Sequence, residues 1–366
     1  MIRKIFNIIN LFCSFLLLLS YASAYVPPHV LPKLSLFSFL YPYLLFINII
    51  FILIWLFIKW KYIIIPLACI LIKVNYIPNL YKFNGTEHRT SIHNDDIKIL
   101  SYNVCSFHYE TKWNEPKDKR IDSVYNYIEK LNPSIIAFQD YSSSKKKNSI
   151  HNRLVKKLGY KYFYTPINDK YNVYGNVIYS KYPIVQSGVL FPLKNSSNSY
   201  IYSDIQINRK NKIRVINLHL ASYKLAEEDK QVFSKLKEEG VKTAIEKDAK
   251  PLLKKLVWAN TKRSHEVDEL VKIFEEKQIP TILTGDFNDT PFSYTYREFK
   301  KHLNDAFVEK GKGFGTTYNG DLPAYRIDYI FYDKNYFSVK SFERAALENS
   351  DHFPVSAVLS ISKDNN

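Results

Sequence analysis

In Thr281-Ile282-Leu283-Thr284-Gly285-Asp286-Phe287-Asn288-Asp289, an apolar run of strand length ends in a glycine, and a carboxylate and a carboxamide follow two residues apart. Alternation along an extended chain points residues i and i+2 to the same side, so Asp286 and Asn288 share one face at the strand end. Such a pair can orient a water and hydrogen-bond an oxygen that gains charge in a transition state. An Asx-rich turn after a strand has the same composition, so the stretch alone leaves both readings open.

Working outward, further runs of strand length and β-branched or aromatic composition occur at Ile97 to Val104, Ile135 to Gln139, Asn176 to Ser180, Ile213 to Leu220, Arg326 to Phe331 and Val355 to Ile361. Ile121, Val124, Ile128 and Leu131 fall at helical spacing between the first two, on a helix closed by Asn132-Pro133. Leu225 to Lys277 is rich in Lys, Glu, Leu and Ala and reads as a helical excursion. Polar residues recur at the ends of the strand-like runs: Tyr102-Asn103, Gln139-Asp140, Asn217-Leu218-His219, Arg326-Ile327-Asp328-Tyr329 and Ser350-Asp351-His352-Phe353-Pro354. An α/β fold gathers such ends in one cleft, and their joint recurrence favours a catalytic site over five separate structural explanations.

The first eighty residues are a different material. Ile5 to Ala24, Leu36 to Phe57 and the shorter Tyr62 to Val74 are apolar, and no acidic residue precedes Glu87. Two or three transmembrane helices are expected over residues 1–80, then a linker at 81–94 and a catalytic domain at 95–363. Arg3 and Lys4, the Leu-rich middle and Ala22-Ser23-Ala24 are equally the layout of a cleavable signal peptide. If all three segments cross, Lys59 and Lys61 occupy a cytoplasmic turn and the catalytic domain faces outward from the inner membrane. If the third fails to cross, the domain faces the cytoplasm.

The formal charge is +16, of which Arg3, Lys4, Lys33, Lys59, Lys61 and Lys73 supply six units, leaving +10 on the remainder. That surplus attracts polyanions without choosing between nucleic acid, anionic headgroups and soluble phosphate esters. With 46% hydrophobic residues the chain is excluded from the disordered class, and its three cysteines build no disulfide framework.

The order Tyr-Asn, Gln-acid, Asn-x-His, Gly-Asp-Phe-Asn, Arg-Ile-Asp-Tyr and Ser-Asp-His resembles that of the endonuclease/exonuclease/phosphatase superfamily. With Ser293-Tyr294-Thr295-Tyr296 and the hydrophobic N terminus it also looks like a membrane-anchored branch found in the Bacteroidetes. The resemblance implies an α/β four-layer sandwich of two mixed sheets flanked by helices, and a phosphoester hydrolase using Mg²⁺ or Mn²⁺. It implies that Asp140, Asn103 and Asp351 hold the ion and that Asp286 orients or deprotonates water. Asn288 would bond the phosphate, while His352, braced by Asp328, would act as base or stabilise the transition state. His219 would donate to a phosphate oxygen or to the leaving group. Asn217, Tyr171 and Arg326 are candidates to bind substrate; Tyr174, Lys181 and Lys145 to Lys147 read more readily as surface.

Two positions depart from the family pattern. Asp140 stands where the family carries glutamate, and Asn103-Val104-Cys105 lacks the second acid of many nucleases. The second departure and the membrane segments favour a phospholipid headgroup over nucleic acid as the phosphodiester substrate. No obligate protein partner is implied. A membrane-tethered nuclease is the alternative, and a catalytically silent phosphate- or lipid-binding module is the alternative of another class.

Overall fold

The computed structural model describes residues 2–83, 85, 96–107, 116–191, 200–223, 250–275, 279–320 and 325–362. By its contacts the chain divides into two units: Met1–Lys82 with Ser222–Glu269 and Asp289–Lys301, and Phe83–Ala221 with Leu270–Asn288 and His302–Asn366.

The second unit holds two mixed sheets. One contains, in spatial order, β12 (Phe337–Arg344), β13 (Val355–Ile361), β1 (Ile97–Asn103), β2 (Ile135–Ser144), β5 (Asn172–Ser180) and β3 (Tyr162–Tyr164), with β4 (Ile167–Asn168) also on β5. The other runs β10 (Asn304–Asp305), β11 (Asp328–Tyr332), β9 (Thr281–Asp286), β8 (Lys212–His219), β7 (Ile201–Gln206) and β6 (Ile184–Val189). Each sheet has one parallel pair at its centre, β1 with β2 and β8 with β9. With the helices Lys117–Leu131 and Ile150–Lys157 packed on the first sheet, this is the expected sandwich architecture.

The period of two explains both the core and the site. Ile97, Ile99 and Ile135 from the first sheet meet Ile213, Val215, Ile282 and Ile330 from the second in one buried cluster. Each such side chain contributes about 2 kcal/mol of apolar burial. Leu100, Tyr102, Ile136 and Phe138 point the other way, onto Val124, Ile128 and Leu154 of the helices. Continuing the inward alternation gives Ser101 and Asn103, Gln139, Asn217 and His219, Thr284 and Asp286, and Asp328. The strands are therefore apolar inside over most of their length and polar inside at one end.

Seven sequence-read strands are present. β2 runs on to Ser144 through an irregularity between Phe138 and Tyr141, and β5 begins at Asn172. The β6–β7 hairpin and β12 had no sequence signal strong enough to separate them from loops. The helix over Lys117–Leu131 stops at Asn132, whose left-handed conformation (φ 50°) lets its N–H cap Ile128 O. Of the helical excursion, Lys250–Glu275 is a helix and residues 224–249 lie outside the described residues, as does most of the 81–94 linker.

In the first unit, Arg3–Ala22 and Pro32–Ile58 are long and apolar enough to cross a membrane, and Trp60–Ile72 and Val74–Leu80 reach that length only if taken together across a 56° bend, as a broken span or a re-entrant loop. Ser14 Oγ donates to Asn48 Oδ1 at 2.8 Å, and Asn48 Nδ2 donates to Leu44 O at 2.8 Å, so these helices carry a satisfied polar crosslink. Leu17, Tyr21, Tyr41, Leu44, Leu45 and Cys69 share a core with Phe292, which lies three residues beyond Asp289.

Candidate active site

Register brings the site residues level. Asp286 pairs with His219 across the parallel β8–β9 ladder and with Asp328 across β9–β11. In the other sheet Asn103 pairs with Gln139. Gly285 is what lets β8 and β9 close at this point. Its φ is +137°, and a Cβ there would sit 2.0 Å from Leu218 O, so no other residue fits.

The Asp286 carboxylate is the hub. Its Oδ2 accepts from Asn103 Nδ2 at 3.0 Å and lies 3.6 Å from both His219 Nε2 and His352 Nε2. Its Oδ1 accepts the backbone N–H of Asn288 at 2.8 Å, so the sequence Asp-Phe-Asn makes an Asx turn with Asn288 left-handed at φ 51°. Both readings of the stretch thus hold at once: the turn is what aims the pair. Asn288 Nδ2 donates one hydrogen to Leu220 O at 3.1 Å.

His352 is braced on its far side by Asp328, Nδ1 to Oδ2 at 2.9 Å. Burial alone would lower the His352 pKa, but Asp328, then Asp286 and Asp351, outweigh it and hold it well above the ordinary imidazole value. Burial raises Asp328 despite its partner. His219 also resists burial: Asp140 and Asp286 lift it to about 9. Its Nδ1 is 3.2 Å from Asp140 Oδ1, though not aligned as a hydrogen bond. Burial works to raise Asp140, but His219 prevails and the net direction is down.

Asp140 occupies a left-handed residue (φ 46°) at the irregularity in β2, which turns its half-exposed carboxylate toward His219. Asp351 is held by Ser350, whose hydroxyl also donates to Asn103 O at 2.8 Å. Ser350 entered the sequence reading only as the first residue of Ser-Asp-His, with no role of its own, and Thr317, whose Oγ1 accepts the N–H groups of Ile327 and Asp328 at 2.9 and 3.0 Å, did not enter it. Nothing local in the sequence marks Thr317, because its partners lie ten residues on.

Three expected substrate contacts sit elsewhere. Asn217 is wholly buried between the sheets, accepting from Gln139 Nε2 at 2.7 Å and donating to Phe138 O and Val177 O, so its polar capacity is consumed in joining the sheets. Arg326 is buried too, donating to Asp305 Oδ2 at 2.6 Å with its guanidinium over the rings of Phe307 and Tyr329. Tyr171 is an exposed residue of a turn that Asp169 organises. Asn217 and Arg326 are thus bound to partners within the fold, since a polar residue at a strand end also serves to tie layers together.

The donor set suits a hard divalent ion. Four carboxylates, Asp140, Asp286, Asp328 and Asp351, face two imidazoles, and that excess of negative charge is what a cation would offset. Among the described residues, the group of three with ligand atoms within 4.8 Å of one another is Asp286, Asp328 and His352. Asp286 is bonded to Asn103 and Asn288 and Asp328 Oδ2 to His352, whereas Asp328 Oδ1 is buried with no hydrogen-bond partner, an oxygen that a cation would satisfy. Asp140, half-exposed beside His219, and Asp351, beside His352, add carboxylate oxygens of the kind a hard divalent ion takes.

A family model described as "Endonuclease/Exonuclease/phosphatase family" matches residues 100–352. The chain belongs to that family. A second model, described as a domain of unknown function, matches residues 3–80. The endonuclease/exonuclease/phosphatase fold is shared with the human Nocturnin catalytic domain, solved with bound sulfate, at 18% identity, TM-score 0.51, and coverage of 78% of this chain and 98% of that one. Similarity extends to D. rerio TDP2 complexed with single-strand DNA product (14% identity, TM-score 0.49, coverage 72% and 99%). A family protein from Bacteroides thetaiotaomicron matches at 18% identity and TM-score 0.47, covering 72% and 94%. A search of curated proteins gave no match.

Proposed function

We propose that this hydrolase is a membrane-tethered phosphodiesterase in which Asp286 orients and deprotonates the attacking water. The observation that carries the reading is the convergence on Asp286 Oδ2 of Asn103 at 3.0 Å and of two imidazoles at 3.6 Å. Asn103 fixes the carboxylate's orientation. His352, held as imidazolium by Asp328, stabilises negative charge developing on phosphorus oxygens. His219, protonated at neutral pH, delivers a proton to the leaving oxygen. Asn288 retains one amide hydrogen for a phosphate oxygen. A divalent ion on Asp140, Asp351 and Asn103 would supply charge neutralisation of the phosphate.

The extracytoplasmic orientation has support within the helical unit. Phe6 packs on Trp55 at 5.2 Å and Trp55 on Tyr62 at 4.8 Å, whereas Tyr21 packs on Tyr41 and Tyr76 at 5.9 and 5.8 Å. The chain from Tyr62 to Tyr76 thus climbs the same height as Phe6 to Tyr21, roughly 20 Å at a helical rise. The matching heights favour a third crossing over a re-entrant loop. Arg3, Lys4, Lys59 and Lys61 gather near the Phe6 end, as positive-inside placement requires, and Phe292 lies near Tyr41 and Tyr76 at the other. A headgroup phosphodiester is favoured over nucleic acid, because a tethered enzyme meets headgroups at high local concentration.

The test uses the full chain in detergent: hydrolysis of bis-p-nitrophenyl phosphate with Mn²⁺, Mg²⁺ or EDTA, beside Asp286→Ala and His352→Ala. We expect metal-dependent turnover reduced about a thousandfold or more in both variants. Phospholipid micelles and plasmid DNA then separate headgroup from nuclease activity. Absence of turnover on every substrate would favour the silent binding module instead.

A further inference from the structure

Outside the catalytic site, the helical unit gathers cations where a soluble surface has no reason to. The Lys73 ammonium lies 4.5 Å from the centre of the Tyr25 ring and 5.3 Å from that of Tyr76, and the Arg297 guanidinium lies 4.1 Å from the same Tyr25 ring. Lys73 also donates to the Tyr25 hydroxyl. Lys301 adds a third cation nearby through Glu298, which accepts from both Arg297 and Lys301. Lys73, Arg297 and Lys301 stand against Glu298 and, beyond Tyr294, Asp268, so the balance at this site is positive.

Its neighbours are apolar and face outward. Leu71, Ile72 and Val74, which flank Lys73, are each more than half exposed, at 57%, 61% and 51%. Lys73 is the residue at which the third apolar segment bends, and Tyr25 follows the end of the first. Tyrosines and long cationic side chains at the ends of apolar helices mark the level of lipid headgroups. A ligand that satisfies both halves of the surface carries a phosphate and acyl chains together.

We propose that Lys73 and Arg297, ordered by Tyr25, bind the phosphate of an anionic phospholipid, with its chains along Leu71, Ile72 and Val74. This rests on the membrane reading and is independent of the catalytic one. The Tyr25 ring holds both cations in place before the lipid arrives, which lowers the ordering cost of binding.

The test is retention of phosphatidylglycerol against phosphatidylcholine by the detergent-purified full chain, read by native mass spectrometry in EDTA and in an Asp286→Ala background, so that hydrolysis plays no part. We expect preference for phosphatidylglycerol, lowered about ten- to thirtyfold in the Lys73→Gln, Arg297→Gln double variant. Lys33→Gln, which removes an exposed charge elsewhere in the same unit, should leave it unchanged. Thermal unfolding of the double variant checks that it folds, and each single variant should show part of the loss. Equal retention of the two lipids by wild type, or full retention by a folded double variant, overturns the proposal. So does displacement of the lipid by millimolar inorganic phosphate, which would make the site one for soluble anions.

Discussion

Asp286 and Gly285 show how one dipeptide sets both backbone and chemistry. The glycine permits the close approach to Leu218, and the approach sets Asp286 level with His219. A histidine can be held in either charge state by what surrounds it. His219 and His352 face carboxylates and are pushed up, whereas His151 faces the aromatic rings of Tyr179 and Phe163 and is pushed down, to about 4, by burial first and Lys145 second. His151 Nδ1 meets the Tyr179 hydroxyl at 2.7 Å, so the neutral ring is hydrogen-bonded in the core. Because the folded pKa lies below the unfolded value near 6.5, the unfolded chain binds more protons over this window. The associated stability is fully present above pH 6.5 and is lost as pH falls through about 4. Denaturant unfolding of His151→Gln between pH 7 and 4 should show a flatter profile than wild type, the difference being on the order of 2 kcal/mol. Parallel profiles would mean that this imidazole is not what the acid limb reports.

At the level of elements, the sequence was most readable where a strand alternates cleanly. The inward positions of β1, β8, β9 and β11 change from isoleucine and valine to Asn, His and Asp toward one end, and that change is visible without a structure. The irregularity in β2 was not, because a left-handed Asp140 has no local signature beyond the tolerance of aspartate for that conformation. The surroundings of Arg326 were illegible for a related reason. Arg-Ile-Asp-Tyr places Arg326 and Asp328 two apart, but the partner of Arg326 is Asp305, on β10, which only the β10–β11 pairing brings near. A buried ion pair that loses one member leaves the other charge stranded. Arg326→Gln should therefore cost about 3 kcal/mol in urea unfolding while leaving KM for the phosphodiester unchanged. A raised KM at unchanged stability would return Arg326 to the substrate.

On the scale of the molecule, the sequence suggested a membrane anchor joined by a linker to an independent catalytic domain, and the helical unit invites a different division. Phe292 packs on Tyr41 at 4.1 Å, and Asn79 Nδ2 donates to Pro291 O at 3.4 Å. Asn260 Nδ2 donates to Ser35 Oγ at 2.7 Å, and Arg263 reaches Asp289 at 3.5 Å. The first three contacts join residues before Lys82 to segments that interrupt the second unit in sequence, and the last joins those two segments to each other, one of them beginning directly after Asn288. Hydropathy could not reveal this, since an apolar run announces burial without saying whether lipid or protein covers it. If the first eighty residues are structural, a chain beginning at residue 81 leaves Phe292 uncovered and the polar groups of Pro291 and Asn260 without their partners. Hydrogen exchange in detergent should then show protection lost over Asp289–Lys301 and over residues 250–269 in the truncated chain, with the β1–β2 core kept. Unchanged protection there would restore the separable anchor. Because Asp289 follows Asn288, loss of protection should come with loss of metal-dependent turnover, whereas a separable anchor leaves soluble-substrate turnover intact.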